Sequence, residues 1–261
     1  MLRPNDIESV VIIGSGNVAS HLAVGLHKKK VRVLQVLSVH VAHADELAQK
    51  VEAQPITDLK DLDMNADLYI LAVPDGKISE VVSQLPVLSG LVVHTSGFTS
   101  LNILEKFEHH AVFYPLQTFS KSREIALSAI PFFLEASDDI SLQKLTELTH
   151  KLSPIAIAMD SQQRKRLHLA AVFVSNFNNY LYLLADEFLQ EEGMDLQFLQ
   201  ALITETAAKV SELSPEEAQT GPARRNDGQT LAAHLQLLEG KEEIREFYQL
   251  FSKHILQRYH E

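Results

Sequence analysis

The chain has 261 residues, 46% of them hydrophobic, with no cysteine and a formal net charge of −11 when histidine is neutral. That length carries one large core or two smaller ones, while the missing cysteines exclude disulfides, thiolate nucleophiles and cysteine-based zinc sites. The acidic balance argues against nucleic acid or an anionic membrane as partner, no apolar run reaches the ~20 residues of a membrane span, and MLRPNDIESV at the start carries no signal-peptide core, so a soluble, cytoplasmic protein is expected.

From residue 7 to about 160, short apolar runs alternate with helical patterns. The runs cover 10–13, 31–37, 68–73, 91–94, 111–114, 132–135 and 155–159. Most are dense in Val, Ile and Leu without strict alternation, as strands buried on both faces of a parallel sheet read. Helical patterns lie between them, among them 44–51, 78–84 and 141–152. Strand and helix in alternation predict βαβ units and a Rossmann-type, doubly wound, mostly parallel sheet. From residue 161 the strand signal disappears. The pattern predicts one long helix over 161–192, with Gly193 as its stop, then helices over 196–213, 227–238 and 242–259. The expected organisation is a Rossmann-type domain over 1–160 and an all-helical domain over 161–261.

The first strand runs into Gly14-Ser15-Gly16-Asn17-Val18-Ala19, a GxGxxA turn opening a helix. The first glycine permits a tight turn, the second lets a pyrophosphate approach the backbone, and the small residue at 19 lets helix and strand pack. The helix N-terminus then offers free N–H groups to phosphate. Gly14, Ser15, Gly16, Asn17 and Val18 are the expected pyrophosphate cradle. After the second strand, where an NAD enzyme places Asp or Glu for the ribose, the chain has Ser38-Val39-His40. The missing acid favours NADP over NAD. The usual arginine for the 2′-phosphate is missing too, leaving Ser38 and His40 as its candidate ligands, with His43 read as a surface residue. Two further strands run into Val73-Pro74-Asp75-Gly76 and His94-Thr95-Ser96-Gly97. Ligands bind outside the carboxyl ends of such strands, so Val73, Pro74, His94, Ser96 and Gly97 are expected at the nicotinamide. For His94, a strand-end histidine bonded to a neighbouring loop is an equal alternative.

GSGNVAS, LAVPD, HTSG, YPLQTFS, HLAAVFVSN and TGPARRND occur in that order over nearly the whole chain. Together they resemble a family of inferred NADP oxidoreductases that join a Rossmann-like N-terminal half to a helical C-terminal domain of unknown function. That family is similar to pyrroline-5-carboxylate reductase and the 6-phosphogluconate dehydrogenase group. The resemblance implies a homodimer built through the helical domain and an active site between the domains. The chain departs from the family at Tyr114, often His, at Asn226, often Gly, and at Val39, where NADP-using relatives often have Arg.

On the long helix, His168, Ser175, Asn176 and Asn179 fall near one face at about 100° per residue. Related dehydrogenases carry a catalytic Lys or His and an Asn on that helix. The resemblance thus makes His168 a candidate proton donor to a carbonyl or imine, with Asn176 or Asn179 holding the substrate and Lys165 a fallback acid. The alternative is a solvated helix face. Arg225, at the family's arginine position, is a candidate for a carboxylate or phosphate, which makes the substrate acidic; an Arg–Asp pair fixing the loop is the alternative. Asp227 reads as a helix cap. Three function classes compete: a reductase acting on a small carbonyl or imine, a non-catalytic dinucleotide sensor or scaffold dimer, and a metal enzyme using His94, His168 and His234. No ligand spacing links those histidines, so no metal is expected.

Overall fold

The apolar runs assemble into one sheet. The computed structural model describes residues 6–261; residues 1–5, which begin the stretch read as lacking a signal-peptide core, lie outside them. The strands are β1 (Ser9–Ile13), β2 (Arg32–Leu37), β3 (Gln54–Ile56), β4 (Leu68–Leu71), β5 (Leu91–His94), β6 (His110–Pro115), β7 (Phe132–Ala136) and β8 (Ala156–Ala158). They lie in the order β3-β2-β1-β4-β5-β6-β7-β8, and all neighbours are parallel except β6 with β7.

Helices α1 (Asn17–Lys28), α2 (Val41–Lys50), α3 (Asp75–Gln84) and α4 (Asp139–Leu152) connect strands. Val10 and Ile12 of β1 face a core completed by Leu22 and Leu26 of α1 and Leu145 and Leu148 of α4. Val11 and Ile13 face the opposite core, with Ile78 and Val82 of α3. Each residue of β1 is therefore buried on one side or the other, which is why the strand reads as an unbroken apolar run. Strands β2 and β3 are added on one side of β1 and β4 onward on the other, so the order of addition reverses between β1 and β4, and the carboxyl ends of those parallel strands open on the point where such folds take ligands.

The differences from the sequence pattern are local. Strand β3, reading QPI, is absent from the apolar runs because it is short, carries a proline and sits at the sheet edge. Helices α2 and α3 start about a turn earlier than their apolar residues suggest, because their first turns are polar or exposed. The run at 155–159 shortens to the edge strand β8, where Ile157 is exposed.

The chain divides into two compact units between Ser175 and Asn176. The first ends with α5 (Ser161–Val172), whose capping box uses Asp160 and Gln163. The single helix expected over 161–192 is broken by a π-helical turn, Phe173–Phe177. A uniform 100° per residue does not run through such a turn, so the one-face grouping of His168 with Ser175, Asn176 and Asn179 does not stand as a periodicity argument.

The second unit contains α6 (Asn178–Gln190), α7 (Gln200–Lys209), α8 (Pro215–Ala218), α9 (Gly228–Leu237) and α10 (Glu242–His260). Gly193, at φ +67°, follows the end of α6 in the left-handed conformation that glycine favours. The helix expected over 196–213 begins as a 3₁₀ turn, Leu196–Leu199, and ends at Lys209. Among the residues of this unit, Leu184, Ala223 and Leu238 alone are buried. No helix among the described residues is long and apolar enough to cross a membrane.

Candidate active site

The two glycines of the first turn are required for different reasons. Gly14 has φ +122°, and a Cβ on it would lie 2.3 Å from the carbonyl oxygen of Ala72. The turn is pressed against the end of β4, where the Ala72 N–H donates to the Ile13 carbonyl at 2.8 Å. The fold itself demands this glycine. Gly16 has φ −74°, a conformation open to any residue, and a Cβ on it would meet nothing within 4 Å among the described residues. It is the N-cap of α1, and no side chain caps that helix. The fold therefore leaves clear space before a helix N-terminus whose first N–H groups need an acceptor. Asn17 and Val18 open the helix, and Ala19 is fully buried, as close strand–helix packing needs. The Asn17 Oδ1 accepts from the Lys121 N–H at 3.3 Å, fixing the segment after β6 beside this turn.

At the end of β2, Ser38 is buried, and its hydroxyl oxygen accepts from the Ser15 hydroxyl at 2.8 Å and from the His40 N–H at 3.3 Å. Those bonds join the first turn to the second. Val39 is 82% exposed. His40 is the N-cap of α2 without a side-chain cap, and its ring lies 5.2 Å from that of His43. The first acids beyond are on α2, where Glu46 pairs with Lys50 at 2.7 Å.

At the end of β4, Val73 is half-buried and Pro74, the N-cap of α3, is exposed. The end of β5 requires a correction. His94 is 0% exposed and has no surface to offer a cofactor. Its Nδ1 accepts from the Ser96 N–H at 3.2 Å, while its buried Nε2 has no hydrogen-bond partner among the described residues. Burial, assisted by the nearby Arg164 guanidinium, pushes its pKa down to about 4, so the ring is neutral at pH 7. His94 is thus a buried support of the loop that follows it. Ser96 has a similar placement: it is buried, and its hydroxyl oxygen accepts from the Phe98 and Thr99 N–H groups at 3.1 and 2.9 Å.

Arg164 holds that loop from the other side. It is completely buried in the first turn of α5, paired with Glu135 of β7, and donates to the Thr99 carbonyl at 2.5 Å and the Ser161 hydroxyl at 3.1 Å. Nothing in the run QQRKRLH distinguishes this arginine from its solvated neighbours; only its partners on β7 and the loop do. Lys165 is half-buried, with its ammonium 5.6 Å above the exposed Phe98 ring.

One turn further along α5, His168 is half-buried, and its Nδ1 is 3.0 Å from the Tyr114 hydroxyl of β6. Gly97 lies between loop and pair: a Cβ on it would be 2.6 Å from His168 Nδ1 and 2.7 Å from Tyr114 Cζ. Gly97, Tyr114 and His168 are therefore brought together from three elements. Tyr114 is the member that no sequence spacing links to His168.

In the second unit, Asn176 and Asn179 are exposed. Arg225 is exposed in the loop before α9, where a cavity of about 570 Å³ is lined by Gln219, Thr220, Gly221, Arg224, Arg225 and His260. The Arg224 guanidinium stacks 4.1 Å from the Tyr259 ring. Asp227 caps α9, accepting from the Thr230 N–H at 3.0 Å and the Thr230 hydroxyl at 2.7 Å. Those bonds, with the charge of Arg225, lower its pKa. His234 bonds Tyr248 at 2.8 Å. No group of three metal-ligating side chains occurs among the described residues.

Residues 2–117 match the Rossmann-like domain family, and residues 130–255 match the domain of unknown function DUF2520. No curated protein matches the sequence. Among solved structures, a protein from Bacteroides fragilis described as a putative NADP oxidoreductase is 41% identical, with a TM-score of 0.90 over 97% of this chain and 99% of that one. A protein from Thermotoga maritima is 23% identical, with a TM-score of 0.76 over 94% of this chain and 99% of that one. A pyrroline-5-carboxylate reductase from Coxiella burnetii shares the fold at 17% identity, with a TM-score of 0.57 over 97% of this chain and 98% of that one. With a sheet of Rossmann order, a GxGxxA turn and a helical second half, the chain belongs to the family that couples a Rossmann-like domain to DUF2520, the family of that Bacteroides protein.

Proposed function

We propose that the chain is an NADP-dependent oxidoreductase, with NAD the less favoured dinucleotide, and that it moves hydride between the nicotinamide and a small carbonyl or imine substrate. The observation that carries this reading is Gly16, a glycine that the fold does not need, facing clear space at an uncapped helix N-terminus. Gly14, Ser15, Gly16, Asn17 and Val18 would hold the pyrophosphate through backbone N–H groups. Ser38 and His40 would meet the 2′-phosphate, and Val73, Pro74 and Gly97 would border the nicotinamide. The nicotinamide supplies the hydride. In the first unit His168 meets the charge that develops on the substrate oxygen or nitrogen; in the second, Asn176 and Asn179 are candidates for polar substrate groups and Arg225 for a carboxylate or phosphate.

In this reading residues 1–160 bind the dinucleotide and residues 161–261 serve substrate and a homodimer through the C-terminal helices. The exposed Phe198, Leu202 and Leu237 support that dimer. The protein works in the cytoplasm on a small molecule and takes neither nucleic acid nor membrane as partner.

Thermal unfolding with NADP⁺, NADPH, NAD⁺ and NADH in parallel tests the proposal. A ligand at 100 times its dissociation constant adds about 2.7 kcal/mol to stability. The expected result is a rise with NADPH that Gly16→Val abolishes. No rise with any of the four overturns the reading, and a rise without turnover in a carbonyl and imine screen moves the protein to a dinucleotide sensor.

A further inference from the structure

We propose that Tyr114 is the positioning residue for His168: its hydroxyl donates to Nδ1 and so places the single proton of the neutral imidazole on Nε2, the nitrogen left free for a substrate. The proposal rests on the reductase reading for its consequence, but not for its geometry. The Tyr114 oxygen and His168 Nδ1 are 3.0 Å apart, and the two rings meet nearly edge-on at 70° with centroids 6.0 Å apart. Tyr114 is 8% exposed. Among the described residues its hydroxyl has no other hydrogen-bond partner. A buried phenol with one neighbour gives its proton to that neighbour, because an unspent O–H donor away from water costs about 1–3 kcal/mol.

Burial raises the Tyr114 pKa to about 12, with Asp75 acting in the same direction and Arg164 against it. The hydroxyl therefore keeps its proton throughout the neutral range. An imidazole whose Nδ1 accepts carries its hydrogen on Nε2. Gly97 protects the arrangement, since any side chain there would drive into both partners. The result is a fixed Nε2–H donor that can bond a carbonyl oxygen or imine nitrogen as negative charge grows there. Such a preset donor does not reorganise during the reaction.

The test is long-range ¹H–¹⁵N correlation on full-length protein labelled with ¹⁵N-histidine, assigning His168 by the signals lost in His168→Ala. The expected wild-type result above neutral pH is a protonated Nε2 and an unprotonated Nδ1. In Tyr114→Phe, which keeps the ring and removes the donor, both nitrogen shifts should move toward the average of the two tautomers. A wild-type His168 protonated on Nδ1, or shifts unchanged in Tyr114→Phe, overturns the proposal. The wild-type spectrum decides even if the variant does not fold. Turnover separates this from the reductase reading. If wild type reduces nothing in the screen while the Nε2–H tautomer is present, the reductase reading fails and the Tyr114 assignment stands. If turnover is found, Tyr114→Phe should lower kcat with little change in KM.

Discussion

The two units bury their apolar residues in opposite ways. The first packs both faces of its sheet, with Val10, Ile12, Leu22 and Leu145 in one core and Val11, Ile13, Ile78 and Val92 in the other. The second has helices of good length but buries only Leu184, Ala223 and Leu238, while Phe198 is 75% and Leu202 63% exposed. Amphipathic periodicity says that a helix has a face to cover; it does not say what covers it. A sheet settles that question locally, because each crossover helix returns onto the strands that it joins. The polar groups differ as well. In the first unit Arg164 and His94 are wholly buried, whereas the charged groups of the second remain at its surface.

That contrast can be broken in steps. The largest effect is expected from Glu135→Ala, which leaves the Arg164 guanidinium buried without its counter-charge. Removing one partner of a buried ion pair costs about 3–5 kcal/mol, read as a lower urea midpoint; an unchanged midpoint would mean that water reaches Arg164. The acid response of the first unit comes next. Folded His94 holds its pKa at about 4 against an ordinary value of 6.5, so between those values the unfolded chain binds the extra proton. Its contribution is complete above pH 6.5 and is lost as pH falls toward 4. The slope approaches about 1.4 kcal/mol per pH unit, and His94→Gln should flatten it when urea midpoints at pH 7 and pH 5 are compared. The smallest effect on stability belongs to the second unit. Leu202→Asp, on an exposed position, should change the unfolding of the first unit by less than about 0.5 kcal/mol. In sedimentation it should convert a dimer to a monomer; a wild type that already sediments as a monomer would sink the dimer proposal.

The sheet and its order of elements were legible because strands buried on both faces write themselves as dense runs such as VVII and LVVH. Strand β3 was not, since QPI at an edge buries little. In the candidate site, the GxGxxA turn was legible as a spacing, but the different reasons for Gly14 and Gly16 were not. One depends on how close β4 passes, the other on what is missing before α1. His94 was visible as a strand-end histidine, yet neither its burial nor the charge of Arg164, 70 residues later in the chain, which helps to keep it neutral, was visible with it. The sequence by itself determined the alternation of strand and helix, the mostly parallel sheet that such alternation implies, the phosphate-turn spacing and the helical second half, all of which are written in neighbours along the chain. The tertiary structure alone decided that His94 is a support, that Arg164 is buried and that Tyr114 meets His168. Those outcomes depend on distances between β5, β6, β7 and α5, and the local pattern of side chains carries no information about them.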